Sequence, residues 1–163
     1  MSDVTKQELR KYLHEKLESI SAADETAASS QILQELQILL EDKHDVSHVL
    51  LYRPMATWHE LDLTSLLDLL PGVNFDFVPS AKDAPFPEKK YDAIIIPLLG
   101  FNKDGYRLGH GGGWYDRFLA TQPQAHKIGV GYENTLVDFA PEPHDVPMDV
   151  IVTEKQIRRF HKG

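Results

Sequence analysis

Apolar residues recur at three- and four-residue intervals through the first forty positions and then give way to short unbroken runs. Thr5 and Glu8 have the capping-box arrangement, and Leu9, Tyr12, Leu13, Leu17 and Ile20 follow at helical spacing, so a helix should open at residue 6 and end between residues 19 and 23. A second helix is predicted over 25–41, with Ile32, Leu33, Leu36, Leu39 and Leu40 on one face. Residues 48–52 read as a short buried strand, 63–70 as a short helix stopped by Pro71-Gly72, and 73–78 as an alternating strand. The proline-rich stretch 79–90 is a loop. The clearest strand is 91–97, a continuous β-branched run of the kind covered on both faces in a parallel sheet. A loop over 98–113 should lead to a helix at 114–120, followed by strands at 127–131 and 149–153. Thr153 and Gln156 repeat the capping-box pattern and predict a C-terminal helical turn. This alternation of strands and helices argues an α/β sandwich with a mostly parallel sheet.

Length and charge narrow the class. The 163 residues suffice for one domain, taken as 1–163, and hardly for two. A formal net charge of −8 argues against general affinity for nucleic acid or an anionic membrane, so an anionic ligand needs a local positive site. There is no cysteine, which excludes disulfides, thiolate chemistry and Cys-ligated metal. The eight histidines are dispersed, and His44 and His48 straddle a loop and a strand, so a zinc enzyme is disfavoured. The opening residues are polar and alternate in charge, unlike a signal peptide, and no apolar run approaches membrane-spanning length. A cytoplasmic protein is expected.

Residues 106–118 read YRLGHGGGWYDRF, with four glycines in five positions. The run follows the central strand and precedes a helix, where ligands bind in open α/β sheets. Its amides can converge on an anion beside a helix N-terminus, with Arg107 and Arg117 adding bidentate contacts and Asp116 an oxygen for a phosphate-bound Mg²⁺. The run satisfies neither G-x-G-x-x-G nor G-x-x-x-x-G-K-[ST]. A tight loop packed under Trp114 and Tyr115 is the other reading. On the first helix, Lys6 and Arg10 project from one side at the positive end of the helix dipole, either prepared for an anion or neutralised by Asp3 and Glu8.

Together, Lys6 and Arg10, the segment from Pro97 through GYRLGHGGGWYDRFL, and the closing HDVPMDVIVTE resemble the 5-formyltetrahydrofolate cyclo-ligase (methenyltetrahydrofolate synthetase) family in the order of all three blocks. The resemblance implies a Rossmann-like three-layer sandwich and an ATP- and Mg²⁺-dependent reaction. In it the formyl oxygen of 5-formyltetrahydrofolate is activated by phosphoryl transfer, and N10 closes the ring to 5,10-methenyltetrahydrofolate. By the same resemblance, Lys6 and Arg10 hold ATP phosphates together with the loop Arg107, Leu108, Gly109, His110, Gly111, Gly112, Gly113, Trp114 and Tyr115. Arg107, Asp116 and Arg117 stand at the phosphoryl transfer, and Asp116 and Asp145 are the Mg²⁺-linked carboxylates. Without the family, Asp145 reads as a turn-former in Pro143-His144-Asp145.

Glu60 and Asp62 resemble the family's folate-side element, although Leu63 replaces its threonine. Met55, Trp58 and Tyr115 join them as candidate folate contacts. The chain departs from the family between residues 70 and 91, where a hairpin and a glycine-bearing segment that help enclose the pterin are absent. Three readings therefore stand: a compact cyclo-ligase, an ATP-binding paralogue with another substrate or none, and an interaction protein whose glycine loop is structural. The expected partners are a reduced folate and ATP, with no nucleic acid and no membrane, in a monomer or weak homodimer.

Overall fold

A computed structural model describes residues 5–42, 45–55, 58–79, 84–110 and 113–160. Helix α1 (Lys6–Glu18) begins at Thr5, whose hydroxyl accepts from the Glu8 amide at 3.1 Å, and α2 (Ala22–Glu41) begins at Ser21, which accepts from the Asp24 amide at 3.0 Å. Both caps satisfy amides that the helix itself cannot. Strand β1 (His48–Leu51) leads through the short α3 (Leu66–Leu69) to β2 (Asn74–Phe77). Strand β3 (Ala93–Pro97) is followed by a small hairpin, β4 (Gly100–Phe101) and β5 (Arg107–Leu108), then α4 (Trp114–Leu119), β6 (His126–Val130), β7 (Val150–Val152) and β8 (Ile157–Arg159). The six long-paired strands form one sheet in the order β2-β1-β3-β6-β7-β8, parallel except for β8.

The β-branched run of β3 explains the layering. Alternate residues of a strand point to opposite faces, and here both faces are covered. Ile95 packs with the core beneath α1, α2 and α3, whereas Ile94 and Ile96 pack with the core beneath α4. The same split holds for β1, with Val49 and Leu51 on the first face and Leu50 on the second. Ala93, Ile94, Ile95 and Ile96 are all wholly buried, and each isoleucine so placed contributes roughly 1.5–3 kcal/mol. The result is a helix–sheet–helix sandwich, as expected.

Three local expectations are corrected. Tyr12 is 50% exposed rather than part of the α1 core face; Lys16 Nζ donates to its hydroxyl at 3.2 Å, one turn along the same helix. The 98–113 stretch is not featureless, because Gly100 and Phe101 pair antiparallel with Leu108 and Arg107. Thr153 does accept from the Gln156 amide at 3.3 Å, as a cap would, but the Thr153 amide is taken by the backbone carbonyl of Gln156 at 3.0 Å and not by a capping side chain from Gln156. Its side chain instead bonds Glu133, and the chain turns into β8 against β7. The open edge of β7 offered a row of unpaired backbone groups, and pairing them outweighed the local helical signal.

No helix among the described residues is long and apolar enough to cross a membrane.

Candidate functional site

The sheet order reverses at β1, which has β2 on one side and β3 on the other. Such a switch point opens a crevice beyond the carboxyl ends of the two strands. The segment carrying Met55, Trp58 and Glu60 leaves β1 on one side of it, and the hairpin and glycine turn leave β3 on the other. Helix α1 lies across both. Its Leu13 is packed so closely that a Cβ on Gly100 would sit 2.6 Å from Leu13 Cδ1, and its Lys16 Nζ donates to the Asn134 carbonyl at 2.8 Å.

That placement brings the two distant sequence blocks together. Arg10 Nε donates to the Gly109 carbonyl at 2.8 Å, across 99 positions of sequence. Lys6 Nζ lies 3.3 Å from Glu142 and 3.5 Å from Asp145. The Asp145 carboxylate also accepts from the Glu142 amide at 2.8 Å, the turn-forming role its sequence context suggested. Asp116 accepts from the Val146 amide at 3.2 Å, which ties the start of α4 to the residue after Asp145. Glu142, His144 and Asp145 converge within 4.8 Å of one another, a grouping capable of holding a cation.

Arg107 is the centre of the site. Its guanidinium lies over the Tyr115 ring at 4.9 Å and reaches the Pro97 carbonyl at 3.5 Å, and its Nε is buried with no hydrogen-bond partner among the described residues. Burial pulls its pKa down, and the fields of Tyr115, Asp116, Glu60 and Asp145 oppose that pull. A Cβ on Gly109 would lie 2.5 Å from a guanidinium nitrogen of Arg107, so only glycine leaves room for the arginine there. Gly113 caps α4 with φ +72°, a left-handed conformation that glycine adopts without strain. With only six residues, α4 makes a weak anion site by its dipole alone, so the cations matter more than the helix end.

On the facing wall, Glu60 Oε1 accepts from the Met55 amide at 2.9 Å, and its other oxygen lies 4.0 Å from His110 Nε2. Burial raises the Glu60 pKa, partly offset by the Met55 amide and by Arg107. His110 is pushed down to about 4, first by burial and then by His14, Arg107 and Arg10. The pair is consequently a neutral imidazole beside a carboxyl group, not an ion pair at neutral pH. Trp58 stacks on His110 at 4.1 Å between ring centroids, and burial raises the Tyr115 pKa.

The other predicted residues lie apart. Leu108 is 2% exposed with its side chain in the first core, so only its backbone can meet a ligand. The Trp114 ring packs with Phe118 and Phe86 on the second core. Asp62 is exposed and accepts from the amide and hydroxyl of Thr64, which lowers its pKa. Met55 is 54% exposed. The Arg117 guanidinium folds back along α4, where a Cβ on Gly113 would meet it at 2.9 Å. Gly111 and Gly112 fall outside the described residues. Two participants were missed in the sequence, Glu142 and His14. His14 continues the four-residue spacing of Lys6 and Arg10, a signal that was available; Glu142 had none.

The family model of the 5-formyltetrahydrofolate cyclo-ligases matches residues 77–154. A 5-formyltetrahydrofolate cyclo-ligase of Mycoplasma pneumoniae is 31% identical over 163 residues, covering 92% of this chain and 99% of its own. The Escherichia coli cyclo-ligase matches more locally, 37% identical over 78 residues that make up 44% of this chain and 41% of that one. Among solved structures, a 5,10-methenyltetrahydrofolate synthetase from Mycoplasma pneumoniae superposes with a TM-score of 0.82 at 30% identity, covering 93% of this chain and 99% of that one. The Aquifex aeolicus 5,10-methenyltetrahydrofolate synthetase superposes with a TM-score of 0.77 at 28% identity, covering 98% and 95%. With a relative of such identity matched almost end to end, the chain belongs to the 5-formyltetrahydrofolate cyclo-ligase family.

Proposed function

We propose that this protein converts 5-formyltetrahydrofolate to 5,10-methenyltetrahydrofolate with hydrolysis of ATP. The observation that carries the reading is the 2.8 Å bond from Arg10 to the Gly109 carbonyl, which joins one of the two amino-terminal cations to the glycine segment. ATP supplies a phosphoryl group to the formyl oxygen, after which N10 closes the ring and phosphate departs. Such a transfer needs positioning and charge neutralisation more than a nucleophile, and this chain offers cations, amides and carboxylates with no thiol.

Each residue has a part suited to its surroundings. Arg107 is held by its stacking on Tyr115, which keeps its positive charge beside Gly109 for a phosphate or the formyl oxygen. Arg10 and Lys6 approach from α1 and complete a positive wall. Asp116 and Asp145 suit Mg²⁺, a hard cation that takes oxygen ligands. The position of Lys6 among Glu142 and Asp145 supports this, because those carboxylates already hold a positive charge. The crevice between the β1 and β3 loops takes the pterin, with Trp58 and Glu60 on its far side. On this reading the chain is one domain over residues 1–163, acting in the cytoplasm as a monomer or weak homodimer.

The test is growth of methenyltetrahydrofolate absorbance on mixing protein with 5-formyltetrahydrofolate, ATP and Mg²⁺. The expected signal disappears when either ATP or Mg²⁺ is withheld. Calorimetry that finds ATP binding while the absorbance stays flat at high protein concentration would replace this reading with that of an ATP-binding paralogue.

A further inference from the structure

We infer that His14 is a positioning residue for the folate side of the crevice: from the third turn of α1, its imidazole backs Trp58 against His110 and so fixes the loop after β1 to the glycine turn. The inference rests on the activity proposed above and extends it to a residue outside the three sequence blocks that carry the family resemblance.

Three rings from three separate segments meet here. The His14 and Trp58 centroids are 4.5 Å apart, Trp58 and His110 4.1 Å, and His14 and His110 5.4 Å, with interplanar angles of 40°, 30° and 27°. Each ring therefore touches both others, and displacing one loosens the remaining pair. His110 belongs to the turn whose Gly109 carbonyl is bonded by Arg10, one helical turn before His14. Trp58 belongs to the segment whose Glu60 bonds the Met55 amide. The ring cluster is thus a bridge between the wall that meets the nucleotide and the wall that meets the pterin, with α1 as its abutment.

The chemistry of the two imidazoles fits a stacking role. Both titrate below the usual histidine value: His14 through burial, with Glu18 opposing and His59 assisting, and His110 through burial, His14, Arg107 and Arg10. Glu60 is the carboxyl group facing His110. At neutral pH both rings are uncharged and stack on the indole without placing further cations beside Arg10 and Arg107. A histidine here keeps the face of an aromatic ring while remaining small enough for the inner side of a helix that also carries Leu13 and Leu17.

The test compares wild type with His14→Ala and His14→Phe. Alanine is the best helix former, so α1 persists in the first variant; phenylalanine restores a ring in the second. Acrylamide quenching of tryptophan fluorescence reads the cluster directly, with Trp114 in the opposite layer as a constant background. His14→Ala should raise quenching, increase the calorimetric Kd for 5-formyltetrahydrofolate in the absence of ATP by roughly fivefold, and leave the Kd for ATP within about twofold. Its KM for the folate should rise while kcat stays within about twofold, and His14→Phe should recover most of each loss. Unchanged quenching, or raised quenching with folate affinity intact, overturns the inference while leaving the activity standing. A wild-type protein that neither binds nor turns over 5-formyltetrahydrofolate overturns the activity, and the inference with it.

Discussion

Gly109 and Arg107 show how a single missing methyl shapes the site. The guanidinium occupies the space a Cβ would take, 2.5 Å from one of its nitrogens. Gly109→Ala should push that flexible side-chain end aside at small cost to the fold, with Tm within about 4 °C of wild type, which corresponds to roughly 1 kcal/mol. The displaced guanidinium should nevertheless lower kcat/KM by about 10- to 100-fold, since a misplaced catalytic contact is felt steeply. A thermal melt beside a steady-state assay checks the separation; parallel losses of both would mean that the glycine serves only folding. His110 makes a second claim at this scale. Its folded pKa of about 4 lies below the ordinary 6.5, so the unfolded chain binds the proton more readily. Its contribution to stability is complete above pH 6.5 and is lost as pH falls toward about 4. Glu60, raised by burial, has the opposite sign, losing its contribution as pH rises. Denaturant titrations of wild type and His110→Gln between pH 4 and 7 should therefore show a shallower slope in the variant, and identical slopes would contradict the assignment.

Secondary structure was legible wherever one pattern dominated, and the elements that eluded sequence reading lost a contest with their neighbours. The four-residue ladder of Leu9, Leu13 and Leu17 located α1, and the β-branched run located β3. Thr153 and Gln156 misled because their local hydrogen bond is real while the chain around it pairs with the edge of β7. The β4–β5 hairpin was invisible because two-residue strands carry no periodicity; it is fixed by contacts from afar, such as the Val137 amide on the Phe101 carbonyl at 2.8 Å. The site divides the same way. Arg10 and Gly109 were legible as motifs, whereas their contact depends on how α1 crosses the sheet. Arg10→Met tests the helix as a carrier of charge, because arginine and methionine have similar helix propensities. Far-ultraviolet circular dichroism should be unchanged, while the lost charged hydrogen bond, worth about 1.5–3 kcal/mol, should weaken ATP binding by roughly 10- to 150-fold. Full ATP affinity in this variant would remove α1 from the nucleotide site.

At the scale of the molecule, the shortened stretch before β3 raised the question of whether a pterin can be held at all. The Mycoplasma pneumoniae cyclo-ligase is covered over 99% of its length by this chain, so the compact form is shared with a relative that carries the activity in its name. Compactness has a consequence for order. Met55, on the proposed folate wall, is 54% exposed, whereas the proposed nucleotide side holds Arg107, whose Nε is buried. The two sides meet at Gly109 and His110, with Arg10 bonded to the Gly109 carbonyl and Trp58 stacked on His110. Nucleotide binding that holds Gly109 and His110 in place would also hold the ring on which Trp58 stacks, and the folate would then meet a lower entropic cost. Such coupling must be reciprocal. A non-hydrolysable ATP analogue with Mg²⁺ should lower the Kd for 5-formyltetrahydrofolate by about fivefold or more, and the folate should lower the Kd for the analogue by the same factor, both read by calorimetry. Thermal melts should agree: the Tm gain with both ligands should exceed the sum of the separate gains. Strictly additive gains, with each Kd indifferent to the other ligand, would show two independent half-sites and leave the turn without a linking role.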